Sequence, residues 1–332
     1  MAEDIASGAI GGTVADPPRP PDSRRPAPRE VVPLRHPGRW IAATIALLCC
    51  GFALHSVLTN PNFDWPFVAR YFASGAVLDG LVVTLWLTVV TVVVGFVLGT
   101  VLAVMRVSRN PVLSSLSWGY VWLFRSTPLL VQLLFWFNIG ALYPTLSIGI
   151  PFGPTLQTID MVNLIGPTAA AVIGLVLHEA AYAAEIVRGG LLSVDQGQTE
   201  AAQALGLSPW RTFRRVVLPQ AMRSIVPAAG NMLIGTLKGT SMVSVLAVED
   251  LLYTVQLVYN RNYRIIPLLL VATLWYVIVT SLLSVVQYYV ERFYARGALR
   301  QLPPTPVQRL RSRWRAVLAA PRRPAPSGRD DP

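Results

Sequence analysis

Apolar residues in this chain gather in long blocks separated by short polar stretches, and six of those blocks are long enough to cross a membrane. A hydrocarbon core of about 30 Å takes roughly 20 helical residues. The blocks run from Trp40 to Leu58, Val77 to Met105, Val112 to Phe137, Pro167 to Val187, Ile225 to Val248 and Ile266 to Val290. Arg125 and Pro128 interrupt the third, which predicts an interfacial start and a kink or break at that point. The pattern predicts an all-α integral membrane protein of about six transmembrane helices. Composition agrees: 53% of the 332 residues are hydrophobic, 14% are charged and the mean hydropathy is +0.49, more apolar than a soluble domain needs to fill its core.

Arginine placement orients the bundle. With a cytoplasmic N-terminus, alternation puts the N-terminal tail, the "RVSRN" turn, the loop 188–223 and the C-terminal tail on one side, and 23 of the 28 Lys+Arg fall there. This is the positive-inside asymmetry, so both tails and the loop 188–223 are expected in the cytoplasm. The net charge of +11 is thereby assigned to anionic membrane lipid and not to nucleic acid, for which no reading motif is present. Residues 1–39 and 293–332 are rich in Pro and Arg and are expected to be unstructured tails. The stretch before Trp40 lacks the layout of a cleaved leader, so the first helix is expected to stay as an anchor. Cys49 and Cys50 are adjacent in that helix and poorly placed to bridge each other.

One polar stretch stands out, "EAAQALGLSPWRTFRRVVLPQ" over 200–220. Glu200, Ala201 and Ala202 open a helix that Gly206 ends with a left-handed cap. Ser208 is placed to cap a second helix and Pro209 to start it, while Pro219 limits its length. Trp210, Phe213, Val216 and Val217 recur at helical spacing, and Arg211, Arg214 and Arg215 cluster away from much of that face. The pattern fits equally a basic helix on the lipid surface and an amphipathic pair that anchors a partner protein.

The run "EAA", three residues, Gly206, nine residues, Val216, one more, then Leu218 and Pro219 resembles the signature loop of binding-protein-dependent ABC transporter permeases, with Val216 in place of the usual isoleucine. "GLVVTLWLTVV" from Gly80, "FRSTPLLVQLLFW" from Phe124, "AAYAAEIVRGGLLSVDQGQTEAAQALG" from Ala180 and "VVLPQAMRSIVPAAGNMLIGTLKGTSMVSV" from Val216 extend the likeness to the polar amino acid branch over about residues 77–292. The resemblance implies an ABC importer type I permease fold, a five-helix core over 77–292 preceded by one extra helix at 40–58. It implies coupling residues Glu200, Ala201, Ala202, Gly206, Ser208, Pro209, Trp210, Arg211, Leu218 and Pro219, which would dock on a cytoplasmic ABC ATPase. It also implies two ATPase subunits, a second permease subunit, identical or homologous, an extracytoplasmic solute-binding protein and a place in the bacterial inner membrane.

No phosphate-binding GxxxxGK[ST] loop, zinc-ligand spacing or nucleophile elbow occurs, so no catalysis, metal or cofactor is expected, and ATP hydrolysis falls to a partner. Candidates for the solute path are the polar residues within apolar blocks: His178, Glu179, Glu185, Lys238, Thr240 and Ser241. A pocket and a structural pairing of Glu179 with Lys238 are equally weighted. Two departures from the family pattern bear on solute. Gly239 replaces a usual aspartate, and Glu179 stands where a small or hydroxyl residue is usual. Facing the path, Glu179 would select a cationic solute such as arginine or histidine. An opine or a compatible solute is the alternative, and an ion-coupled secondary transporter is remote because the two halves show no repeat.

Overall fold

The computed structural model describes residues 37–149 and 155–294. The tails expected over 1–39 and 293–332 therefore lie almost wholly outside the described residues. The chain divides into two compact units, Met1–Asn60 and Pro61–Pro332. In the first, α1 (Pro37–Thr59) is apolar on every side, with Trp40, Leu47 and Phe52 exposed, the surface a helix shows to lipid.

In the second unit, α2 (Trp65–Phe72) is a short amphipathic helix that packs on α13 (Ile265–Tyr294), where the Trp275 indole donates to the Phe72 carbonyl at 2.8 Å and the two rings stack. Then comes α3 (Gly75–Val107), whose 33 residues give a rod of about 50 Å, longer than the hydrocarbon core. α4 (Pro111–Ser126) and α5 (Leu129–Phe137) follow, and α6 (Ile139–Leu142) leads into an antiparallel hairpin of β1 (Thr145–Gly149) and β2 (Thr155–Asp160). After α7 (Met161–Leu164) the chain enters α8 (Pro167–Leu192), the central helix, which packs against α3, α4, α5 and α11 (Leu218–Gly239). Between α8 and α11 lie α9 (Gln196–Ala204) and α10 (Pro209–Thr212). A 3-10 segment, Thr240–Leu246, and α12 (Leu251–Asn262) connect α11 to α13. Four of these helices, α1, α3, α8 and α13, are long and apolar enough to span alone, and two bent pairs bring the number to six, as the hydropathy blocks predict.

The break expected in the third block is a bend of 103° between α4 and α5. Pro128 forces Thr127 out of helical geometry, to φ −110° and ψ 141°, and leaves carbonyls without intrahelical donors. The side-chain amide of Gln132 fills that role, donating to the Phe124 carbonyl at 2.9 Å, the Thr127 carbonyl at 3.1 Å and the Thr127 hydroxyl at 2.7 Å. In a medium without water such repair is what permits broken backbone.

Two features depart from the sequence reading. The β-hairpin adds strands to a fold expected to be wholly helical, in a Gly/Pro-rich stretch whose only signal is the short alternation of Leu146 and Ile148 with Thr145, Ser147 and Gly149. Pro219 does not limit the second loop helix. The chain runs in helix from Pro209 to Gly239, because residues Phe213–Val217 form a π-helical turn and Pro219 falls in the first turn of α11. The wider turn takes up the missing N–H and the ring, where an α-helical path would meet a clash.

α3 and α8 run parallel and close. A Cβ on Gly95 would lie 3.2 Å from the Glu179 Cβ, and one on Gly99 would lie 2.5 Å from the Ala183 Cβ and 2.8 Å from the Ala180 carbonyl oxygen. Gly99→Val is expected to lower stability by about 1–3 kcal/mol through overpacking. Gly235→Ala, with open space at its Cβ, should be neutral or slightly stabilising; thermal unfolding in detergent compares them. Gln132→Leu should cost about 1–3 kcal/mol by the same measurement, since it strands buried acceptors at the bend.

Candidate functional site

The polar loop between α8 and α11 is built by local chemistry. Asp195 caps α9, its carboxylate accepting from the Gly197 N–H at 2.7 Å. The helix closes at Gly206, φ +74°, where the Gly206 N–H donates to the Gln203 carbonyl at 2.9 Å and the Leu207 N–H to the Ala202 carbonyl at 3.1 Å. That pair of bonds is a Schellman closure, which needs a left-handed residue at this position and hence glycine. Ser208 occupies the N-cap position of α10 with extended backbone, its carbonyl accepting from the Thr212 N–H at 2.9 Å, but its hydroxyl makes no capping bond. Pro209 is the first helical residue.

The loop presents an apolar patch inside a polar surface. Leu205 is 82% exposed and Trp210 66%, with Phe213 stacked on Trp210 at 5.8 Å, and Glu200, Ala201, Arg211 and Pro219 are exposed around them. Ala202 is buried, and Leu218 is half-buried at the start of α11. Gln220 ties the two halves, donating to the Val216 carbonyl at 3.0 Å and to the Gln198 side chain at 3.4 Å.

Within the bundle the candidates separate into three groups. His178 lies near the middle of α8, its Nδ1 3.2 Å from the Gln132 Oε1 and its ring 5.0 Å from that of Tyr182. Glu179, next to it, faces α3 and lies beside Thr236 of α11, whose hydroxyl donates to the Met232 carbonyl at 2.9 Å. It does not pair with Lys238. On α11 positions 236 and 238 point about 200° apart, so turning Thr236 to α8 turns Lys238 away. Lys238 is exposed and makes no ion pair among the described residues. Thr240 and Ser241 follow at the end of α11, their hydroxyls spent on the Leu237 carbonyl at 2.8 Å and the Lys238 carbonyl at 2.7 Å.

Glu185 stands apart, two turns further along α8. Arg188 holds it in a fork, Nε to Oε1 at 3.0 Å and a terminal nitrogen to Oε2 at 2.7 Å, and Arg125 approaches to 3.9 Å while lying over the Tyr182 ring at 5.3 Å. Gln132, Thr236 and Tyr182 are the residues that sequence reasoning missed. Gln132 had a visible signal, as a lone amide within "PLLVQLLFW"; the hydroxyl of Thr236 had none.

Comparison with known proteins follows the same lines. A sequence model of the family described as binding-protein-dependent transport system inner membrane component matches residues 95–296. The chain is 42% identical over 281 residues to an arginine transport system permease protein of Corynebacterium glutamicum, covering 84% of this chain and 87% of the relative. It is 35% identical over 202 residues to a nopaline transport system permease protein of Agrobacterium fabrum, covering 60% and 80%. Among solved structures, an amino acid ABC transporter with histidines aligns at TM-score 0.60 and 30% identity over 68% of this chain and 97% of its own. A methionine ABC transporter in inward-facing conformation shares the fold at TM-score 0.54 and 24% identity, over 67% and 97%. The chain therefore belongs to the binding-protein-dependent transport system inner membrane component family, as the permease subunit of an ABC importer.

Proposed function

We propose that this permease imports arginine and related cationic amino acids. The observation that carries the reading is the 42% identity to the arginine permease, over a match of 281 residues that reaches upstream of the family region beginning at residue 95. Chemistry supports it. Glu179 places a carboxylate near the middle of α8 beside Thr236, whose hydroxyl donates to the Met232 carbonyl at 2.9 Å, and no described cation pairs with it. A charge so placed favours a guanidinium or imidazolium passing beside it. His178 and Glu179 are assigned to the solute path at mid-span, Lys238, Thr240 and Ser241 to its outer end, and Glu185 to an ion pair that braces α8. The likeness to the nopaline permease favours an opine as the second reading.

Transport in this reading needs a second permease subunit, two cytoplasmic ATPase subunits and an extracytoplasmic binding protein, with both tails in the cytoplasm. Residues 200–219 dock on the ATPase through Trp210 and Leu205. From Pro209 the helix continues through its π turn to Gly239, a lever of about 45 Å. Motion imposed at Trp210 is carried along that lever to Thr236, the residue that touches Glu179.

Uptake of labelled arginine by cells expressing the chain with its ATPase and binding protein tests the solute. Competition by arginine, lysine or histidine alone is expected, and competition only by an opine or by neutral amino acids would remove arginine as the solute. Glu179→Gln, which keeps the size and polarity of the side chain and removes its charge, should lower arginine uptake about tenfold, the worth of a charge-assisted hydrogen bond, and a neutral solute's less. Equal losses would make Glu179 structural. Gly206→Val, which puts a β-branched residue at positive φ for about 1–2 kcal/mol, should abolish uptake while leaving membrane insertion intact, and Gly206→Asn should be milder. Undiminished uptake in Gly206→Val would detach this loop from coupling.

A further inference from the structure

A second polar site lies away from the mid-span residues. α3 and α8 both run toward the coupling-loop side, and Arg106 and Arg188 sit in or near their last turns. Beside them, Arg125 closes α4. Together with Glu185 they line an open cavity of about 420 Å³ walled by Trp118 and Trp122. Three guanidinium groups thus face one carboxylate, and Arg188 already holds that carboxylate by both oxygens. Among the described residues Arg106 donates to the Ser114 carbonyl alone, at a long 3.3 Å, and Arg125 reaches Glu185 at 3.9 Å, with its side chain 45% exposed. Positive charge therefore exceeds what the site's own acid can balance.

The walls say what kind of anion fits. Trp118 and Trp122 stack at 6.1 Å and are 52% and 57% exposed, beside exposed Leu116 and Leu123 on the same helix. Indoles with apolar neighbours on one side and arginines on the other mark the level where acyl chains meet headgroups. The end of α8 on which the cavity sits is the one expected at the cytoplasmic leaflet, where anionic lipids are concentrated. A soluble solute crossing between subunits has no use for such a lipid-facing wall.

We propose that Arg106 and Arg125, beside the Arg188–Glu185 pair, bind the phosphate of an anionic phospholipid from the cytoplasmic leaflet, with Trp118 and Trp122 flanking its glycerol region. Guanidinium groups suit phosphate because they donate in a planar fork. The bound headgroup bridges α3, α4 and α8, so it braces the bend at Thr127 from the side opposite the bundle core. This assignment does not depend on which solute the permease carries.

Native mass spectrometry of the full chain in detergent tests it, with phosphatidylglycerol and phosphatidylcholine of identical acyl chains as probes. Phosphatidylglycerol should be retained about fivefold or more over phosphatidylcholine, and Arg106→Gln and Arg125→Gln should each weaken its retention about fivefold. Arg125→Lys should keep most of the binding, and Arg70→Gln, on the other side of the membrane, should change nothing. Thermal unfolding without lipid identifies a variant that has lost its fold, and Arg125→Lys then carries the comparison. Equal retention of the two lipids, or full retention in Arg106→Gln, overturns the proposal. Displacement of the lipid by glycerol phosphate reassigns the site to a soluble phosphate ester. Displacement by arginine reassigns it to solute, and loss of dimer in Arg106→Gln without loss of lipid reassigns it to the subunit contact; each of these also overturns the lipid assignment.

Discussion

The rest of the bundle depends on how closely α3 approaches α8. Within lipid there is no water to drive apolar surfaces together, so helices associate where their backbones can come near. Gly95 and Gly99 give α3 a flat strip one turn apart, and Ala180, Ala183 and Ala184 give α8 the matching face, all three buried. With those two helices in contact, α8 is free to offer its other sides to α4, α5 and α11. At the far end Gly190 repeats the device, its missing Cβ leaving room for Ile225 and bringing α11 alongside.

Against this rigid pair, the polar groups divide by whether the protein itself satisfies them. Gln132 repairs the bend at Pro128 and at the same time reaches His178, so the break in α4–α5 and the middle of α8 share one hydrogen-bond network. Glu185 is consumed by Arg188. Glu179 has no ion-pair partner among the described residues, and Arg106 and Arg125 bring more positive charge than the one carboxylate of Glu185 can balance. Such charge within or beside a membrane is costly and persists where something outside the chain meets it.

Much of this was legible in the sequence. Span number follows from block length, the break at Pro128 from proline chemistry, and the closure at Gly206 from helix-capping rules. Failures came where one chemical rule was applied without its context. Pro219 reads as a stop only if the preceding turn is α-helical, and the π turn from Phe213 removes that premise. The β-hairpin was missed because the alternation over Thr145–Gly149 is only five residues long and lies between prolines that read as loop. The partner of Glu179 depends on the rotational setting of α11 against α8, two helices 26 positions apart along the chain at their ends, and no local pattern encodes that setting. Ser208 sits where a cap is expected, and its hydroxyl makes no capping bond.

The uninterrupted helix from Pro209 to Gly239 also constrains how the length of this protein can vary. A residue inserted in a flexible connection shifts nothing beyond it. One inserted between Leu218 and Thr236 turns everything before it by about 100° around the helix axis. Trp210 would then face a different quadrant while Thr236 kept its place. An insertion or deletion between Trp210 and Thr236 therefore breaks the angular relation of these two residues, whereas one before Ser208 or after Leu246 leaves it intact.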